Sequence, residues 1–150
     1  MKQLLVGILV LLAGCASSGP PAPPLSAPIT LIEPDYEEKG GILPVAGMLT
    51  VTVKPEGEAT SICRRQILTD VERSGDLTNS ERWELYTKAE AWAAKAVNEG
   101  APTGKPRCSL TYGEHKTSWE KGASLPPELD ELVQYLKSLS RSLSIVRKRG

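Results

Sequence analysis

The sequence predicts an α+β fold, an antiparallel sheet of about four strands with two helices packed on one face. Three observations support it. Alternating apolar and polar residues mark strands in the first half of the chain, a capping box opens a helix at Thr78, and a leucine stripe follows Pro126. Because strands and helices follow one another with short connections, an antiparallel sheet is favoured over long parallel crossovers.

Two strands and an edge strand are predicted before residue 70. Residues 29–32 are β-prone and precede Pro34, which is typical of an edge strand followed by a loop. Residues 48–54 alternate, which places every second apolar side chain on one face. Residues 55–58 supply a turn, and residues 59–68 read as the returning strand. These segments predict an antiparallel hairpin.

The first helix begins at Thr78, where Thr78 and Glu81 have the spacing of a capping box. Apolar residues then recur at helical spacing, and Gly100 and Pro102 end the segment. The recurring residues are Leu85, Ala89, Trp92 and Ala96.

A second hairpin and a second helix complete the predicted fold. Residues 107–119 contain Gly113 and Glu114 at a turn and carry Cys108. The second helix follows Pro126, and its apolar stripe has spacings of three and four residues. The stripe consists of Leu129, Leu132, Val133, Leu136, Leu139 and Leu143. Basic residues at or beyond its end complement the helix dipole; they are Arg141, Arg147, Lys148 and Arg149.

The first fourteen residues have the pattern of an export signal. Lys2 precedes an apolar run at residues 4–12 that is too short to span a bilayer. Leu12-Ala13-Gly14-Cys15 resembles the lipobox of bacterial lipoproteins, which implies cleavage before Cys15 and acylation of Cys15. Ala16 stands where an aspartate would resemble an inner-membrane retention signal, so the resemblance implies an outer-membrane lipoprotein that faces the periplasm.

The lipidated cysteine is followed by a proline-rich segment, so residues 15–28 are predicted to form a solvated tether. At about 3.1 Å per residue, this polyproline segment would hold the domain up to roughly 40 Å from Cys15. Residues 29–150 remain as one α+β domain.

Cys63 and Cys108 are predicted to form a disulfide, because an oxidising periplasm permits one. Two buried thiols are the alternative. A metal site with His115 is a further alternative, but the zinc-ligand spacings are missing, so we expect no metal and no cofactor.

Composition argues against nucleic-acid binding and against catalysis. The chain has 18 basic and 18 acidic residues, so no overall positive field would gather nucleic acid. His115 is the single histidine, it lies between Glu114 and Lys116, and no glycine-flanked serine nucleophile is present. We therefore expect a protein that is not an enzyme.

Trp92 lies on the core stripe of the first helix, whereas Trp83 lies off it. An off-stripe tryptophan is a candidate contact residue, because aromatic residues are enriched in binding hot spots.

The globular part also carries short motifs in a particular order. Gly40-Gly41 and Ala46-Gly47 precede the alternating strand, Leu-Thr-x-x-Glu begins at Leu77, and Leu-Pro-x-x-Leu-x-x-Leu spans residues 125–132. This order resembles emfourin-type inhibitors of thermolysin-like metallopeptidases, over roughly residues 40–140. Residues 42–45 depart from the family by separating Gly41 from Ala46. The resemblance implies a peptidase-binding module.

The predicted function is therefore an anchored protein-binding module of the bacterial envelope, with a metallopeptidase as its most specific partner. The candidate binding residues are Gly40, Gly41, Ala46, Gly47 and Trp83. The alternative is an envelope enzyme or small-ligand carrier that uses His115 or a pocket under the helices.

Substitution Cys15→Ala is expected to abolish lipidation and membrane association, because the predicted anchor is the acylated Cys15. Fractionation with a carbonate wash measures this. Recovery of the variant in the washed membrane would contradict the lipobox interpretation.

Overall fold

A computed structural model describes residues 19–37, 45–65, 70–97 and 107–149. Within these ranges seven antiparallel strands form one sheet in the order β6-β5-β1-β2-β3-β4-β7. The elements are β1 (Ile29–Glu37), β2 (Val45–Val53), β3 (Glu58–Arg65), β4 (Asp70–Asp76), α1 (Asn79–Ala93), β5 (Arg107–Tyr112), β6 (His115–Glu120), α2 (Pro127–Ser142) and β7 (Ser144–Arg149). Neither helix of the described ranges is long and apolar enough to cross a membrane.

The inner face of the sheet is apolar because every second residue of the central strands points into the core. Leu31 lies opposite Val51 of β2 and Leu110 of β5, and all three are fully buried. The neighbouring cross-strand row joins Ile29 to Val53, and both are also fully buried. The alternation predicted for β2 is confirmed.

Both helices pack their apolar stripes into one core with this inner face. In α2 the buried stripe is the predicted one, and in α1 Leu85, Ala89 and Trp92 are buried. The capping box of α1 is also confirmed, since the Glu81 amide donates to Thr78 Oγ1 at 3.3 Å and the Thr78 amide donates to Glu81 at 2.8 Å. The α+β class with an antiparallel sheet is therefore confirmed.

The prediction of about four strands is wrong, because the described residues form seven. β4 is mostly polar and half-buried, so it lacks the apolar alternation that identifies a strand. Residues 147–149 lie in β7, whereas the sequence predicted that these basic residues follow the last helix and complement its dipole. β1 also continues through Pro34, beyond Ile32, where its pairing with β5 ends.

The predicted solvated tether is wrong for residues 19–28, which we call the strap. Ala22 is 5% exposed, and Leu25, at 7%, belongs to the hydrophobic core. The Leu25 amide donates to the Pro55 carbonyl at 3.3 Å, in the turn between β2 and β3. The folded domain therefore begins before Ile29, because the strap covers the end of the core between the sheet and α1.

The predicted disulfide between Cys63 and Cys108 is also wrong. Cys63 lies on β3 and Cys108 on β5, and β1 and β2 lie between these strands. Three strand spacings of about 4.8 Å separate the two backbones by roughly 14 Å. A disulfide needs Cα atoms within about 7 Å, so the thiols are not bonded to each other.

Substitution Leu25→Ala is expected to lower the free energy of unfolding by about 2–4 kcal/mol, because the leucine fills the end of the core. Leu25→Met is the matched control and should cost less than about 1.5 kcal/mol, since it keeps the volume. Urea denaturation measures both. An Ala variant as stable as the parent would show that the strap is not part of the folded core.

After denaturation without reductant, iodoacetamide is expected to modify both Cys63 and Cys108, because the fold holds them apart. Peptide mass spectrometry measures the alkylation of each residue. A cross-linked peptide pair containing both cysteines would contradict the strand order.

Candidate protein-binding surface

The sheet has two different ends. At one end the strap meets the turn between β2 and β3, and the Leu77 amide, just before α1, donates to the Gly57 carbonyl of that turn at 2.9 Å. We call this the strap end. The opposite end holds the last residues of β1 and the first of β2, and we call it the arm end.

At the arm end, β1 and β2 continue as an antiparallel pair over residues 33–37 and 45–49, which we call the arm. The β1–β2 pairing continues to Glu37 and Val45. In contrast, β5 pairs with β1 only up to Ile32, and β3 pairs with β2 only from Gly47. Among the described residues, the backbone of residues 33–37 is therefore not paired with β5, and that of residues 45–46 is not paired with β3.

The predicted binding residues are only partly placed on this arm. Ala46 and Gly47 lie in its β2 strand. Gly40 and Gly41 fall between the two arm strands in sequence and lie outside the described residues. The arm thus contains the described part of the predicted glycine-rich site.

Trp83 does not share a surface with the arm, which corrects the grouping of these residues into one site. It lies near the start of α1 at the strap end, and its Nε1 donates to the Pro20 carbonyl at 3.0 Å. The ring packs edge-on against Tyr86, with centroids 6.1 Å apart. The nine residues of β2 span about 30 Å between the two ends.

An exposed apolar and basic patch lies at the root of the arm, on the sheet face opposite the helices. Met48 is 48% exposed and lies opposite Arg64, which is also exposed. The half-buried Ile32 and Ile62 flank Thr50 in the next row. We call Ile32, Met48, Ile62 and Arg64 the arm patch. Methionine adapts to irregular partner surfaces, and arginine is enriched in hot spots, so the patch suits protein contact.

On the inner face, charged contacts hold the root of the arm to the rest of the domain. Lys137 Nζ of α2 donates to Glu33 Oε1 at 3.2 Å and lies 3.1 Å from Oε2. Their side chains are 26% and 14% exposed, so water screens this pair only in part. Lys121 Nζ also donates to the Pro34 carbonyl. These contacts position the arm relative to α2.

Cys108 lies close to this charged cluster, but its surroundings do not activate it. Burial raises the pKa of its thiol, and the Glu33 carboxylate raises it further, while Lys121 and Lys137 act in the opposite direction. The side chain is 2% exposed. The thiol therefore stays protonated at neutral pH and is a poor nucleophile.

His115 lies away from the arm, at the start of β6 opposite Tyr112. Its ring packs edge-on against Trp92, with centroids 6.2 Å apart. Within the described part of the chain, no group of three or more His, Cys, Asp or Glu residues could hold a metal ion. The contacts of His115 thus fit a packing role.

A cleft of about 220 Å³ lies between the end of α1, β6 and the start of α2. Trp92, Trp119 and Leu125 line it, with Lys95 and Glu128 beside them. Lys95, just after the end of α1, donates a hydrogen bond to Glu128 of α2 and lowers the pKa of the Glu128 carboxyl group. The volume is below the roughly 300–1,000 Å³ of typical small-molecule sites.

Comparison with known proteins does not assign the chain to a family. No family model, curated protein or solved structure matches it. The candidate surface therefore rests on the geometry of the arm and its patch.

Removing either partner of the Glu33–Lys137 pair is expected to destabilise the fold, because it leaves a half-buried charge without its partner. A double-mutant cycle with Glu33→Gln and Lys137→Met should give a coupling energy of about 1 kcal/mol. The control cycle uses Lys88 and Glu131, 3.5 Å apart with Glu131 66% exposed, and should give less than about 0.5 kcal/mol. Urea denaturation measures both coupling energies. Equal coupling energies for the two pairs would show that partial burial does not strengthen the Glu33–Lys137 pair.

Proposed function

We propose that this protein is an outer-membrane-anchored periplasmic lipoprotein that binds another envelope protein through the arm and the arm patch, without catalysing a reaction. The observation that carries this proposal is the exposed Met48 beside Arg64 at the root of an extended two-stranded arm. Exposed methionine and arginine on the sheet face opposite the helices suit protein contact better than catalysis.

The anchoring part of the proposal is supported by the lipobox resemblance at Cys15. Two or more acyl chains give stable membrane attachment, because each buried methylene contributes about 0.8 kcal/mol. The chain from Cys15 enters the domain through the strap. The arm lies at the opposite end of the sheet and is therefore directed away from the anchor.

Inhibition of a thermolysin-like metallopeptidase is the most specific form of the proposal. It is supported by the resemblance to emfourin-type inhibitors. Of the residues that carry this resemblance, Ala46 and Gly47 lie on β2 of the arm, and Gly40 and Gly41 fall between the two arm strands in sequence. Among the described residues, the tip of the arm is two strands wide, and a projection of this width can enter a cleft that a whole sheet cannot. Glycines also allow the backbone to approach a partner closely.

The rival function, an enzyme or ligand carrier that uses His115 or the cleft under the helices, has weaker support. The cleft is small, and the ion pair of Lys95 and Glu128 lies beside it. His115 contacts Trp92, but His115 itself does not line the cleft. The arm patch is therefore the better candidate.

Substitution Met48→Glu is expected to weaken partner binding about thirtyfold, since a charge replaces an apolar contact worth about 2 kcal/mol. Thr52→Glu is the matched control, because Thr52 lies on the same strand and the same face but toward the strap end. It should retain binding. A photo-crosslinking amino acid at residue 48 should capture a partner in cells, whereas the same amino acid at residue 52 should not.

Titration of thermolysin with the purified protein tests the inhibitor form directly. Inhibition that Met48→Glu weakens and Thr52→Glu preserves would support it. Full peptidase activity at a large excess of the protein would overturn the inhibitor form, and equal crosslinking at residues 48 and 52 would overturn the arm-patch proposal.

A further inference from the structure

We propose that the docked strap holds the domain against the bilayer, with the start of α1 and the exposed side of Trp83 facing the lipid headgroups. This inference rests on the proposed lipidation of Cys15. It adds a second interaction surface, at the end of the sheet opposite the arm, and its partner is the membrane to which the chain is attached.

The first half of the strap is fixed by hydrogen bonds from α1. The Pro20 carbonyl accepts from Asn79 Nδ2 at 2.9 Å and from Trp83 Nε1 at 3.0 Å. The Ala22 amide donates to Asn79 Oδ1 at 2.6 Å. Asn79 thus binds the strap backbone on both sides of Pro21, as expected for recognition of an extended proline-rich segment.

The second half of the strap is fixed by the core. The Leu25 side chain is buried, and the Ser26 amide and hydroxyl donate to the Tyr112 hydroxyl at 3.2 and 2.8 Å. The Tyr112 hydroxyl in turn donates to Glu90 at 2.6 Å. Burial, followed by the hydrogen bond to Glu90, raises the pKa of Tyr112, so its hydroxyl keeps the proton that this chain of bonds needs.

Docking leaves little chain between the domain and the lipid. Cys15 and Gly19 are four residues apart, a separation that an extended chain can lengthen to about 14 Å at most. If the strap were free, the fourteen residues from Cys15 to Ile29 could reach about 43 Å as a polyproline helix. Docking therefore shortens the reach by roughly 30 Å and keeps the start of α1 near the headgroups.

The surface at the strap end is suited to contact with lipid headgroups. Trp83 is 37% exposed beside Pro20, and tryptophan, like tyrosine, is enriched at membrane–water interfaces. Exposed Glu56 and Glu84 lie at the same end as the exposed Lys54, so the surface charge there is mixed and attraction to anionic lipids does not set the orientation. The short covalent link to the acylated Cys15 sets the orientation of the domain, so the salt concentration should have little effect on that orientation.

Paramagnetic broadening in lipid nanodiscs tests this orientation with the full lipidated protein. A headgroup spin label should broaden the indole N–H signal of Trp83 several-fold more than those of Trp92 and Trp119. The amides of Met48 and Arg64 should be unaffected. A variant with about ten Gly and Ser residues inserted after Cys15 is the control, and it should lose the broadening because the longer chain lets the domain leave the surface.

Hydrogen exchange tests strap docking independently of the membrane. In Asn79→Ala, the Ala22 amide should exchange about tenfold faster than in the parent, because its acceptor is removed. Unprotected Ala22 and Leu25 amides in the parent, or equal broadening of the three indoles in lipidated protein, would overturn this inference. Absence of the acyl chains from Cys15 would instead overturn the proposed function, and the exchange result would still report on docking.

Discussion

The structure depends on the packing of the α2 leucine stripe against the inner face of the sheet. Leu132 and Leu136 are fully buried there, and each such side chain contributes about 1.5–3 kcal/mol when it leaves water. Because both helices pack on this face, neither covers the opposite face, where Met48 is exposed. The core also needs a cover at the end next to α1, and Leu25 of the strap supplies it.

The parts of the fold that the sequence predicted are those with strong periodicity. β2 alternates cleanly, and the stripe of α2 repeats over four turns, so their burial followed from the pattern. β4 and β7 could not be found in this way, because pairing with neighbouring strands rather than an apolar face keeps them in the sheet. The prediction that the strand ends before Pro34 was wrong for a related reason. Proline disrupts a strand where a neighbouring strand needs its backbone N–H, and the pairing of β1 with β5 already ends at Ile32.

The candidate site was only partly predictable, because it depends on register. Glycine composition pointed to residues of the arm, and Ala46 and Gly47 do lie on it. In contrast, the neighbourhood of Met48 and Arg64 follows from the pairing of β2 with β3, and the contact of Glu33 with Lys137 joins residues 104 positions apart. Trp83 was grouped with the arm because it lies off the apolar stripe of α1, although α1 places it at the other end.

The interactions that hold the strap on the core also limit how far the folded domain can lie from Cys15. Releasing it would expose Leu25, at about 2–3 kcal/mol, and would break hydrogen bonds worth about 0.5–1.5 kcal/mol each. If release of the strap costs even 3 kcal/mol, fewer than about one molecule in a hundred has a released strap. Under the lipidation of Cys15 that we propose, the same side chain that completes the core would keep the domain in its short-reach state. A partner bound to the arm would then lie at a fixed height above the membrane.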